Sequence, residues 1–258
     1  MKLFVQASLD YRFAGPTDVL LQLEAADIPE QRVIDPVFTH TDAAHLARVA
    51  AQDGIGQRIW LRTQERLTVE YRATVEIDRI LADCATLPRT PLHQLPGEAV
   101  QYLMPSRYCP SDQFQAFADA EFGGIEGGAR VAAMRDWIHS HLSYQSGVSS
   151  SGTTALETFV RRAGVCRDFA HMMITLTRAS GIPARMASVY ALGVEPQDFH
   201  AVAEVFLDGT WHLVDATGMA EAAAMAKIGV GRDAADIPFL TSYGQAVLIA
   251  QTVSVAAL

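Results

Sequence analysis

Apolar and polar residues alternate through the first third of the chain. In Thr68-Val69-Glu70-Tyr71-Arg72-Ala73-Thr74-Val75-Glu76 the apolar set is Val69, Tyr71, Ala73 and Val75, the two-residue period of a strand with one face covered. Lys2 to Phe13, Val19 to Glu24, Arg32 to Phe38, Arg58 to Arg62 and Arg66 to Ile77 share this character, and turn residues such as Ala14-Gly15-Pro16 and Asp53-Gly54 separate them. Several short strands with turns between them predict an N-terminal β-sandwich. Pro88, Pro91, Pro96, Pro105 and Pro110 then crowd a stretch that suits neither helix nor sheet. A boundary near residue 95 follows, with residues 1–95 as the β-sandwich and 96–258 as a second domain.

Beyond the Gly-rich segment Gly123 to Gly128 the period changes. Val131, Met134, Ile138 and Leu142 recur at helical spacing, and Thr154 with Glu157 carries the signature of a capping box before a short helix that Gly164 ends. Phe169, Met172, Met173, Leu176 and Ala179 form the apolar stripe of a buried helix that begins at Cys166 and stops at Gly181, with Pro183 beyond. Strand patterns at Ala184 to Ala191, Ala201 to Leu207 and Trp211 to Asp215 follow. Helices first and an antiparallel sheet after them make the fold class α+β.

Chemistry enters at Cys166. A thiol attacks a carbonyl carbon as thiolate, and the unpaired N–H groups at a helix start favour that anion. Histidine is the natural acceptor for the thiol proton, and a carboxylate on the far ring nitrogen fixes its tautomer. His200 and Asp215 follow in that order. Asp208-Gly209 suits a two-residue type I′ turn, which pairs Leu207 with Thr210 and therefore sets Asp215 opposite Val202. Val202 shares a sheet face with His200, so carboxylate and imidazole are diagonal neighbours roughly 7 to 8 Å apart at the backbone. A three-residue loop would turn Asp215 to the other face.

Gly164-Val165-Cys166-Arg167-Asp168-Phe169-Ala170, Arg178-Ala179-Ser180-Gly181-Ile182-Pro183-Ala184-Arg185, His200-Ala201-Val202-Ala203-Glu204-Val205 and Trp211-His212-Leu213-Val214-Asp215-Ala216-Thr217 together resemble the transglutaminase-like superfamily of cysteine enzymes. The likeness is specific over about residues 130 to 220. It implies a papain-like core with Cys166, His200 and Asp215 as triad. The tail from Gly231 to Pro238 and the alternating strand after it are similar to bacterial members with an N-terminal β-domain. Val202 stands where many members carry Trp, which bears on the cleft wall beside the histidine, and Ala216 stands where Pro is common. Papain-type enzymes place a glutamine shortly before the cysteine to bind the oxyanion; Val160 stands there in this chain, and Tyr144 is the candidate replacement.

The implied reaction is acyl transfer through a thioester. Water as acceptor gives hydrolysis of a peptide or isopeptide bond, the favoured reading; an amine gives a protein-glutamine transglutaminase; a binding module that keeps the cleft without chemistry is the third possibility. Composition fits an enzyme of ordinary kind, with 258 residues, 50% hydrophobic and 19% charged. A net charge of -9 and the lack of a basic run argue against nucleic acid or an anionic membrane as partner and leave a peptide or protein substrate. The start of the chain is too soon interrupted for a signal peptide, and Cys84, Cys109 and Cys166 make an odd set that suits the reducing cytoplasm. Cys84 and Cys109 read as inert core residues, His171 as structural, His139 and His141 as surface groups. No CxxC or HExxH pattern occurs, so no metal and no cofactor are expected. The oligomeric state is not legible.

Overall fold

A computed structural model describes residues 1–258 except Asp42. Six strands open the chain: β1 (Lys2–Phe13), β2 (Thr17–Leu21), β3 (Gln31–His40), β4 (His45–Ala50), β5 (Gln57–Thr63) and β6 (Arg66–Ile77). The helical part carries α1 (Gly97–Val100), α2 (Gln115–Phe122), α3 (Gly127–His141), β7 (Ser143–Tyr144), α4 (Ala155–Arg161), β8 (Ala163–Gly164) and α5 (Cys166–Ala179). Strands β9 (Ala184–Ala191), β10 (His200–Leu207), β11 (Thr210–Val214), β12 (Met225–Gly231), β13 (Leu240–Ser242) and β14 (Ala246–Ala257) complete it. The fold is α+β.

Two four-stranded sheets, β14-β1-β6-β3 and β13-β2-β5-β4, face each other. Leu3, Val5 and Leu9 of β1, Val69, Tyr71 and Val75 of β6, and Val19, Leu21, Ile59 and Leu61 of the opposite sheet fill the space between. The alternation read in the sequence is therefore the inward face of a sandwich. This sandwich is not made by the N-terminal residues alone. β13 pairs with β2 and β14 runs antiparallel to β1 from Leu3↔Ala257 to Phe13↔Ala246, so the last strands, grouped by sequence position with the second domain, lie in the first layer. Their alternation was legible; their partner, far away in sequence, was not.

The second layer is the sheet β11-β10-β9-β12 with α5 packed on it. Phe169, Met172, Met173 and Leu176 of α5 meet Met186, Ala203, Val205 and Leu207 of the sheet in one core. α4 starts as expected, with Thr154 and Glu157 exchanging their capping hydrogen bonds. Its end differs: Arg162, not Gly164, turns the chain out of the helix with φ 60. Ala163 and Gly164 are used instead in a short parallel pairing with Ser143 and Tyr144.

A buried ionic cluster joins the two layers. Arg185 Nε donates to Glu204 Oε2 at 2.7 Å and Arg185 Nη1 to Asp53 Oδ2 at 2.7 Å, while Lys227 bridges Glu204 and Glu30. Gln31 acts as an extra rung, giving its amide to the Lys227 carbonyl at 2.8 Å and accepting the Lys227 N–H at 2.8 Å. Charges out of water need such saturation, because each unpaired one costs several kcal/mol.

Candidate active site

Three local devices set the thiol. Val165 has extended backbone and α5 begins at Cys166, so the sulfur stands on the first helical residue. Asp168, fully buried, accepts the Val165 N–H at 2.9 Å and closes the first turn. Gly164 makes room for that carboxylate, since a Cβ on it would lie 2.6 Å from the Asp168 Cβ. Cys166 is half-buried. Burial raises the other thiols, Cys84 to about 11 and Cys109 to about 12.

The hairpin has the expected register. Leu207 faces Thr210 and Ala203 faces Val214, with Asp208 at φ 48 and Gly209 at φ 77 forming the two-residue turn. Asp215 follows directly, and His200 Nε2 donates to Asp215 Oδ2 at 2.9 Å. The carboxylate is saturated: Thr217 gives Oδ1 its backbone N–H at 2.8 Å and its hydroxyl at 2.6 Å, and the Ala220 N–H reaches Oδ2 at 3.2 Å. Burial opposes the Asp215 charge, but the bonds from His200 and Thr217 outweigh it and hold the pKa below the ordinary 3.8.

His200 Nδ1 has no other partner among the described residues. It is the ring nitrogen left for the thiol, although no fully formed hydrogen bond joins it to the sulfur. Burial works against the imidazolium; the hydrogen bond to Asp215 and the neighbouring Cys166 prevail and lift the His200 pKa to about 9. With Nε2 carrying the proton toward Asp215, the neutral ring presents an acceptor at Nδ1, and the protonated ring presents a donor there.

Tyr144 joins the same place. The pairing of β7 with β8 sets it beside Gly164, two residues before Cys166, and its ring rests 5.9 Å from that of Phe169. Desolvation first, then the Cys166 thiol, raises its pKa to about 12, while the Cys166 backbone N–H acts in the opposite sense. The hydroxyl thus lies near both the sulfur and the N–H at the helix start.

The other singled-out residues fall elsewhere. His171 is buried, stacked 5.0 Å from Tyr108, and accepts the Ala234 N–H at 3.2 Å; burial drops its pKa to about 3. Val202 is buried in an apolar cluster with Ala187, Val189 and Leu213. His139 is exposed, as expected of a surface group, yet its Nδ1 donates to the Thr217 carbonyl at 3.1 Å and braces the turn that carries Asp215. Neither that brace nor the Thr217 cradle was read from the sequence; the Asp-Ala-Thr-Gly run was the available signal for the cradle. A cavity of about 610 Å³ opens in the sandwich between Val33, Phe38, Arg48 and Tyr71, away from the thiol.

Residues 119–216 match the Transglutaminase-like superfamily. The crystal structure of a candidate cysteine protease from Cytophaga hutchinsonii has a TM-score of 0.94 and 34% identity, covering 100% of this chain and 91% of that one. An uncharacterized protein of Mycobacterium leprae (strain TN) is 26% identical over 183 residues, 66% of this chain; the match spans 65% of that relative's length. The ethylmercury-bound periplasmic domain of TgpA from Pseudomonas aeruginosa is 17% identical with a TM-score of 0.47, over 83% of this chain and 90% of that one. No helix among the described residues is long and apolar enough to cross a membrane. Sharing its fold from end to end with a protein a third identical to it, and carrying the family's core between α2 and Asp215, the chain belongs to the transglutaminase-like superfamily.

Proposed function

We propose that the protein is a thiol acyl-transfer enzyme that hydrolyses peptide or isopeptide amide bonds, with Cys166, His200 and Asp215 as its triad. The observation that carries this reading is the His200 ring held by Asp215 through Nε2 while Nδ1 stays free beside a thiol at a helix start. The Cys166 thiolate attacks the amide carbonyl carbon and forms the C–S bond. His200, protonated at Nδ1, gives its proton to the nitrogen as the C–N bond breaks. Water then enters on the thioester carbon, His200 takes its proton, and the carboxylic acid leaves as the thiol is restored. Asp215 fixes the ring and supports its charge in both steps. The oxyanion is met by the Cys166 N–H and the Tyr144 hydroxyl.

Water is favoured over an amine as acceptor because the site is open to it. Cys166 is half-buried and Tyr144 is 41% exposed, whereas aminolysis in water demands that the thioester be shielded. The three unpaired cysteines suit a cytoplasmic setting. Incubating a glutamine-containing peptide with and without a primary amine and weighing the products tests the reading. Free acid as main product in both mixtures is expected. An amine adduct as main product would make the protein a transglutaminase, and no product from a range of peptides would leave a binding module.

A further inference from the structure

The segment that leads into His200 is clamped by the C-terminal strand. Gln197 takes the place of a neighbouring strand on β14: its amide donates to the Val255 carbonyl at 3.0 Å and its oxygen accepts the Val255 N–H at 3.1 Å. One residue on, Asp198 Oδ1 accepts the Phe199 N–H at 2.7 Å and the Gln251 amide at 2.6 Å. Both bonds use the same oxygen. Oδ2 has no partner, and no cationic side chain pairs with Asp198 among the described residues. Its side chain is exposed, two residues from His200.

We propose that Asp198, aimed by Gln251, is a specificity-determining charge of the cleft that selects peptide substrates with an ammonium or guanidinium side chain close to the scissile amide. The inference deepens the acyl-transfer reading and rests on it for the word substrate. Three observations favour it. The carboxylate is held by the N–H of the next residue and by Gln251 of β14, so its direction is set before any substrate arrives, and ordering it costs a ligand little. It stands two residues before His200 on the segment that delivers the imidazole, and its charge is the smallest of those that raise the Tyr144 hydroxyl. Arg167, the residue after Cys166, is already engaged: its Nη2 donates to the Ser150 carbonyl at 2.7 Å and the Ser149 hydroxyl at 3.3 Å, and stands 3.5 Å from Asp168. Asp198 is an exposed carboxylate next to the His200 segment with no cation paired to it among the described residues. A fixed, unmatched charge at an open rim recruits its opposite.

Labelling of Cys166 by methanethiosulfonates of different charge tests this without turnover. The trimethylammonioethyl, methyl and sulfonatoethyl reagents are compared, with rates read by peptide mapping. Relative to the neutral reagent, Asp198→Asn should slow the cation about threefold and speed the anion about threefold, the effect of one unit charge several ångströms away in a water-rich setting. Asp198→Lys should reverse the order of the charged reagents, and Gln251→Leu should give an intermediate shift. Charge ratios that stay the same in all three variants would overturn the proposal. Peptides with Lys, norleucine or Glu beside the cleaved amide supply the second arm: a preference of Lys over Glu of about tenfold, lost in Asp198→Asn, is expected. Cleavage without a charge preference would overturn the specificity and leave the hydrolase intact. No cleavage with the labelling shift preserved would sink the hydrolase and keep the charged rim.

Discussion

Asp168 Oδ2 sits 2.9 Å from the Val165 nitrogen, across the first turn of the helix that presents Cys166. The carboxylate is fully buried, and Gly164 is the residue that leaves it space. Asp168→Ala strands the Val165 N–H without its acceptor and is expected to lower stability by about 1–3 kcal/mol. Gly164→Ala places a methyl where Asp168 already stands and should do the same. Urea unfolding followed by tryptophan fluorescence checks both; an unchanged midpoint would show that this turn does not hold the thiol's helix.

The linked ionisation of His200 and Asp215 sets a pH window. His200 in the folded chain titrates at about 9, above the ordinary 6.5, so the folded state holds its proton more tightly than the unfolded one. That stabilisation is complete below about 6.5 and is lost as pH rises through about 9. Asp215 has the opposite sense: its depressed pKa stabilises above the ordinary 3.8 and the gain disappears as pH falls through the folded value. Melting temperatures recorded across this range should decline toward alkaline pH in the parent protein and stay flat there in His200→Gln. Identical slopes in the two would contradict the linkage.

Tyr144 supplies a prediction that separates binding from chemistry. Tyr144→Phe keeps the ring beside Phe169 and removes only the hydroxyl near the Cys166 N–H. If that hydroxyl meets the oxyanion, kcat falls by roughly 100-fold with KM little changed, the usual result of deleting one such donor. Steady-state kinetics on a cleaved peptide amide decide it, and a rise in KM at constant kcat would assign Tyr144 to ground-state binding instead.

Glu204 tests the joint between the layers. It is fully buried and holds both Arg185 and Lys227. Burial opposes its charge, but the two cations depress its pKa below the ordinary 4.5. Glu204→Gln should cost about 3 kcal/mol, the lower end for a broken buried pair, because Arg185 keeps Asp53 and Lys227 keeps Glu30. A calorimetric scan measures it. A melting temperature equal to that of the parent would mean that the cluster is neutral to stability.

What could be read in the sequence follows from what is local. β1 and β6 have clean alternation and end where it ends, at Phe13 and Ile77. The Asp208-Gly209 turn fixes its own register, and through it the approach of Asp215 to His200. Beyond β7 and β8, two-residue pairings too short to alternate, two strands escaped for opposite reasons. β4 is exposed along most of its length, so nothing in His45–Ala50 alternates. β12 is buried at every position and contains Gly229 and Gly231, which read as turn residues; a Cβ on Gly229 would collide with the Gln22 amide, a demand invisible without the fold. The placement of β14 beside β1 depends on a pairing between the two ends of the chain, which no local pattern encodes. In the candidate site the three residues of the proposed triad were legible because each has a type and an order that the chemistry requires. Thr217 and His139 brace Asp215 through geometry, and their residue types carry no signal of that role.

The most direct measurement is competitive labelling of the intact protein with isotopically marked iodoacetamide at pH 7, resolved cysteine by cysteine. Cys166 should react at least about tenfold faster than Cys109, buried with its thiol pushed up to about 12, and than Cys84, half-buried with its thiol pushed up to about 11, because alkylation follows thiolate and access. His200→Ala should remove most of that advantage. Equal labelling of the three cysteines, or a Cys166 rate indifferent to the loss of His200, would contradict a thiol and imidazole working as one unit.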